Sequence, residues 1–138
     1  MPFTEKHLKS LVKAAMDHNA SDLHLREGET PCFRVRGDLI PVQTKIFTHQ
    51  NMLDISKILL QNDHLFNNLD EHFEIDGGHT IEGLARMRFN FFRFQNKIGI
   101  ILRTIKETIP SIDSLGLPKV LKSISERPRG LVLVTGAT

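Results

Sequence analysis

The sequence predicts an α+β domain with a mixed or antiparallel sheet and flanking helices. Two stretches, around residues 8–15 and 52–59, repeat apolar residues at helical spacing. Several shorter stretches alternate polar and apolar residues, as half-buried strands do. The elements run helix, three strands, helix, three strands, and such runs of strands suit an α+β sheet better than a singly alternating α/β one.

Thr4 stands where a helix N-cap belongs, and Leu8, Leu11, Val12 and Ala15 follow as one stripe with lysines opposite. This helix is expected to reach Asp17 and end in the turn His18 to Ser21. Asp22 to Arg26 alternates, with Leu23 and Leu25 inward. After the Glu27 to Pro31 loop, Phe33 and Val35 alternate with Cys32, Arg34 and Arg36, and Gly37-Asp38 turns the chain into Leu39 to Val42. Thr48 caps the second helix, whose inner stripe is Met52, Ile55 and Leu59. Asp63 to Asp70 is a short helical or turn segment, and Phe73 to Asp76 is a strand stopped by Gly77-Gly78. Leu84 to Phe94 is the longest strand, with Ala85, Met87, Phe89 and Phe91 on one face and Arg86, Arg88 and Asn90 on the other. Ile98 to Ile105 is nearly all apolar and is expected to be central, with Arg103 interrupting it. Pro118 sits at the first turn of a last helix that Pro128 stops.

A net charge of +2 over 138 residues is too mild to argue for nucleic acid by bulk electrostatics. The single cysteine, Cys32, excludes an internal disulfide, and no zinc-type cysteine pair exists. Seven histidines are scattered without ligand spacing, so no metal site is expected, and Asp22 and His24 are read as surface or intersubunit polar residues. With no signal peptide or membrane-spanning run, the expectation is a cytoplasmic protein without membrane insertion. Arg88 to Phe94 mixes basic and aromatic residues as RNA-binding strands do, but the glycine and small residue of that signature are replaced by Phe89 and Phe91. Core packing explains those phenylalanines better.

Arg86 and Arg88 are two apart on a strand, so both guanidiniums project from one face. Arg103 falls near them if the two strands form a hairpin. Such a cluster suits phosphate oxygens, which arginine engages by bidentate, charge-assisted hydrogen bonds. The alternative is an outer face whose arginines meet solvent or a carboxylate such as Glu74. Arg103 on a buried strand needs a partner, inside the protein or on a ligand, because an unpaired buried charge costs several kcal/mol.

At the C-terminal end, Leu131 to Val134 followed by Thr135-Gly136-Ala137-Thr138 reads as a buried strand running into the first residues of a phosphate loop. The rest of that loop would fall beyond position 138. Taken together, Ala20-Ser-Asp-Leu-His-Leu25, Phe33-Arg-Val-Arg-Gly-Asp38, Leu84-Ala-Arg-Met-Arg-Phe-Asn90, Leu102-Arg-Thr-Ile105 and Pro128-Arg-Gly-Leu-Val-Leu-Val-Thr-Gly136 resemble the PilT/PilU branch of the type IV pilus retraction motors, within the secretion ATPases.

The resemblance implies a PAS-like N-terminal domain over residues 1–105, a linker at 106–110, and the start of a RecA-like ATPase core at 111–138. It implies a homohexamer that uses ATP and Mg2+ at the cytoplasmic face of the inner membrane and engages a pilus platform protein there. Arg88 and Arg103 match arginines that reach the ATP phosphates across the superfamily, and Arg86 matches within the pilus branch. Ala137, where the retraction motor often has proline, leans toward the accessory PilU type. The lysine and catalytic acid of the family are not among these residues, so residues 1–138 alone are expected to bind no nucleotide and turn over no ATP. Residues 129–138 by themselves are expected to be disordered or to borrow an edge from another chain. The competing readings are a stand-alone PAS-like sensor or interaction module and a nucleic-acid-binding domain.

Overall fold

The computed structural model describes residues 2–105 and 108–137. It divides into two compact units, Met1–Glu107 and Thr108–Thr138. The first unit comprises α1 (Glu5–Asp17), β1 (Asp22–Arg26), β2 (Cys32–Val35), β3 (Asp38–Pro41), α2 (His49–Leu60), α3 (Asp63–Asn67), β4 (Glu74–Ile81), β5 (Ala85–Phe94) and β6 (Lys97–Ile105). The strands form one six-stranded sheet in the order β3-β2-β1-β6-β5-β4, every neighbouring pair antiparallel. The near-apolar β6 is central, as its composition predicts.

The helices start where short polar side chains satisfy their first amides. Thr48 Oγ1 accepts from the Asn51 N–H at 3.3 Å, and Asn51 Oδ1 accepts from the Thr48 N–H at 3.1 Å. The Thr4 N–H donates to His7 Nδ1 at 3.0 Å at the start of α1. Leu8, Val12 and Ala15 of α1 and Met52, Ile55 and Leu59 of α2 are buried in one cluster with the inward residues of the sheet. Leu23, Leu25, Met87, Phe89, Phe91, Ile98, Ile100 and Leu102 fill that cluster from the strands. The sheet is therefore packed on one face, and alternate residues of the same strands stand on the other.

β4 corrects the expected strand end. It runs through Gly77-Gly78 to Ile81, because Gly77 lies opposite Phe89 and the Phe89 ring fills its place. A Cβ at Gly77 would come within 2.3 Å of Phe89 Cζ. His79, on the same strand, is buried, and neither ring nitrogen completes a hydrogen bond among the described residues. Burial holds its pKa below the ordinary histidine value, with the Glu5 charge and the Leu59 backbone opposing the shift.

In the second unit, α4 (Val120–Ser125) follows Pro118, whose carbonyl accepts from the Leu121 N–H at 3.0 Å. Residues 129–137 contain no helix or strand, and Leu131, Val132, Leu133 and Val134 are 83, 58, 75 and 95% exposed. Residues 106 and 107 of the expected linker, and Thr138 of the expected loop, lie outside the described residues.

Two outcomes follow from this packing. Gly77→Ala should destabilise the chain by about 1–3 kcal/mol through overpacking, and adding Phe89→Leu should recover part of that loss. Urea unfolding of the four chains of this double-mutant cycle measures both, and strictly additive effects would contradict the contact. For His79 the proton binds first in the unfolded chain, so stability falls as pH drops below about 6.5 toward the lower folded value. His79→Leu should flatten the stability profile in that window, and an unchanged slope would exclude His79 as its source.

Candidate functional site

The open face of the sheet carries a row of charged residues that strand register sets side by side. Arg34 on β2 lies opposite Asp22 on β1, Asp22 opposite Arg103 on β6, and Arg103 opposite Arg88 on β5. Beyond Arg88 comes Gly78 on β4, which has no side chain to cover it. Arg86, two residues back along β5, stands on the same face opposite Ile105 and Thr80. All three arginines expected on one face are there.

Asp22 anchors the row. It is only 5% exposed, which corrects its expected place as a surface or intersubunit residue. Its Oδ1 accepts from Arg103 Nε at 2.8 Å, its Oδ2 accepts from Ser21 Oγ at 2.8 Å, and Arg34 Nε stands 3.8 Å from Oδ2. Burial pushes the Asp22 carboxyl up, but the hydrogen bonds from Arg103 and Ser21 and the Arg103 charge outweigh it and hold its pKa below the ordinary value. The same bond raises the Arg103 pKa. His24, half-buried beside Arg34 Nε at 3.4 Å, is held below the usual histidine value by burial and then by the Arg34 charge.

Arg103 thus has the partner expected of it, inside the protein, although its side chain is not buried. β6 buries Ile98, Ile100 and Leu102 on one face only, and the Arg103 side chain, on the other, is 68% exposed. Its partner is Asp22, and the tie uses Nε, while the terminal guanidinium nitrogens make no hydrogen bond among the described residues. Arg86 and Arg88 are exposed and have no ion pair or side-chain hydrogen bond among the described residues. Glu74, the carboxylate weighed as their alternative partner, accepts instead from Asn90 Nδ2 at 2.6 Å.

Arg88, Arg103, Asp22, Asp76, Asn90 and Ile101 line a shallow recess of about 250 Å³. Like charges directly opposite across two strands are destabilising. Here Asp22 offsets one guanidinium while the other stays open. Two oriented forks beside one carboxylate leave a local positive excess that an anion with several oxygens can fill. Phe89 and Phe91 turn into the core, as expected, while Phe92 and Phe94 lie on the open face with Arg26 4.5 Å above the Phe94 ring. Gly136 and Ala137 belong to the second unit.

Asp22 is the site residue that sequence reasoning missed. Its position on the polar phase of an alternating strand was visible, but its contact with Arg103 spans 81 residues and needs the pairing of β1 with β6.

No family model matches the chain. Among known proteins, it is 34% identical over 131 residues to the type IV pilus retraction ATPase PilT of Pseudomonas aeruginosa. That match covers 95% of this chain and 38% of the relative. The chain groups with the PilT/PilU-type pilus retraction ATPases. PilU of the same organism is 29% identical over 94% of the chain and 34% of that relative, and a twitching motility protein of Neisseria gonorrhoeae is 31% identical over 79% and 29%. The fold agrees: a crystal structure of the retraction motor PilT with bound ADP superposes with a TM-score of 0.73 at 23% identity, covering 87% of this chain and 35% of that one. The ATPase DotB of Legionella pneumophila gives 0.71 at 23% identity, over 89% and 35%. The chain spans between 29% and 38% of the length of these relatives.

Removing the Asp22 charge tests the anchor. Because the folded pKa of Asp22 is lowered, its contribution is present above the unfolded value of about 3.9 and is lost as pH falls through the folded value. Asp22→Asn should cost about 1 kcal/mol at neutral pH, a modest figure because Arg103 is largely exposed. It should also shallow the acid limb of the stability profile below about pH 4. Parallel acid limbs in urea titrations of the two proteins would rule out the ion pair.

Proposed function

We propose that this chain is the N-terminal, PAS-like domain of a hexameric motor ATPase that powers type IV pilus retraction. In this reading Arg88 and Arg103, with Arg86 beside them, contact the phosphates of ATP held by a RecA-like core that begins near residue 111. The observation that carries it is the register pair Arg88 and Arg103 on an open face, with Asp22 tying Arg103 through Nε alone.

The residues present suit a polyphosphate. The Asp22 bond removes rotamer freedom from Arg103 beforehand, so less entropy is lost when its terminal nitrogens meet an anion. Arg88 across the strand adds a second fork with no carboxylate of its own. ATP supplies the phosphoryl bond whose cleavage drives movement, with Mg2+ neutralising charge between its phosphates. The arginines of this chain respond to charge at the terminal phosphate: when it is present their mutual repulsion is relieved, and when it leaves the repulsion returns. A difference of that kind between nucleotide states biases domain closure.

The same reading places the protein at the cytoplasmic face of the inner membrane, assembled with copies of itself and gripping a pilus platform protein. No helix among the described residues is long and apolar enough to cross a membrane.

The deciding measurement is steady-state ATP hydrolysis by the full-length protein. Arg88→Ala and Arg103→Ala should each lower kcat by roughly 100-fold, the scale for losing one preorganised charge donor, and lysine should rescue Arg103 poorly. Wild-type rates in both alanine variants would remove the phosphate-contact role while leaving the fold assignment intact.

A further inference from the structure

We propose that the free edge of β4 is a docking strand for a basic, extended segment of a partner protein. The inference does not rest on the nucleotide reading, and the edge it uses adjoins that site, since Asp76 also lines the recess beside Arg88 and Arg103.

β4 is eight residues long and closes one side of the sheet. The Arg93 N–H donates to the Phe73 carbonyl at 2.9 Å, which fixes the phase of the ladder to β5. Antiparallel alternation then turns Ile75, Gly77, His79 and Ile81 toward β5, and the N–H and C=O groups of Glu74, Asp76, Gly78 and Thr80 outward. All four of these residues are exposed. The opposite edge is a poorer template, because β3 has only four residues and ends at Pro41, which has no N–H to offer.

Charge selects the occupant. Glu74 and Asp76 on this edge, and Glu71 three residues before it in the chain, are exposed, and none forms an ion pair with a cation among the described residues. Among the described residues, Glu74 and Asp76 accept only from Asn90 Nδ2, at 2.6 and 3.2 Å. An incoming strand that extends the sheet places its own side chains beside theirs, where lysine or arginine gains and a carboxylate is repelled. Gly78 presents no side chain of its own, which leaves room for a bulky guest side chain beside Arg88. Phe73, 84% exposed just before the strand, offers an apolar contact at its end. A second copy of β4 would bring the same acids and no cation, so self-pairing is disfavoured by the charges that favour a basic guest.

The probe is an acetylated, amidated hexapeptide of alternating lysine and valine, titrated into the isotope-labelled chain and followed by amide NMR. Shifts and slowed hydrogen exchange are expected at Glu74, Asp76, Gly78 and Thr80, with Ile75, Gly77 and His79 already protected before addition. In the Glu74→Lys/Asp76→Lys variant, affinity for this peptide should fall at least about 10-fold, and a glutamate–valine peptide should bind in its place. Core amides of the variant, unchanged in the same spectra, report that it is folded. Absence of binding, binding that leaves the four outward amides unprotected, or protection of them by dimerisation without peptide would each overturn the proposal.

Discussion

A sheet buried on one face only is the constraint from which the rest of this molecule follows. Strand side chains alternate, so covering one face with α1 and α2 commits every second residue of six strands to the other. The core face takes leucine, isoleucine, methionine and phenylalanine. The open face is then where arginines stand on the central strands with little desolvation cost, and register across β2, β1, β6 and β5 aligns them. The site is a by-product of where the helices are absent as much as of which residues are present.

On that face one buried carboxylate has a larger effect than its number suggests. Asp22 is held charged by two hydrogen bonds that outweigh its burial, and it fixes Arg103 through the nitrogen nearest the chain. An arginine gripped at Nε keeps its terminal fork available, whereas a bidentate grip at the fork would have consumed it. The geometry therefore separates two tasks that a single ion pair usually merges: neutralising a charge and presenting one. Arg88, with no carboxylate of its own, makes the excess positive.

Local pattern made most of this fold legible. The first helix, the first strand and the alternation of β5 were readable because caps and periodicity are properties of neighbouring residues, and Thr4, Thr48, Leu23 and Met87 stand where those rules put them. The pairings of β1 with β6 were not, since no local feature of Asp22 points to a residue 81 positions away. The same gap hid the setting of Arg103: its strand is central and it has a partner, as expected, but Ile101 and Arg103 lie on the open face rather than in the core. Distance in sequence, not weakness of signal, hid the anchor of the site.

The crowding of phenylalanine between Phe89 and Phe94 has a related cause. Gly77 on β4 faces Phe89 on the core side, and a Cβ there would meet the ring at 2.3 Å. Gly99 on β6 faces Phe92 on the open side, and a Cβ there would meet that ring at 2.3 Å too. Each aromatic lies over a glycine of the neighbouring strand, on opposite faces of β5, restoring the buried area that glycine forfeits in a strand interior. Read one strand at a time, Gly77-Gly78 looks like a terminator and the phenylalanines look like an excess. Read across strands, each explains the other, and β4 continues for eight residues because β5 supplies the side chain it lacks.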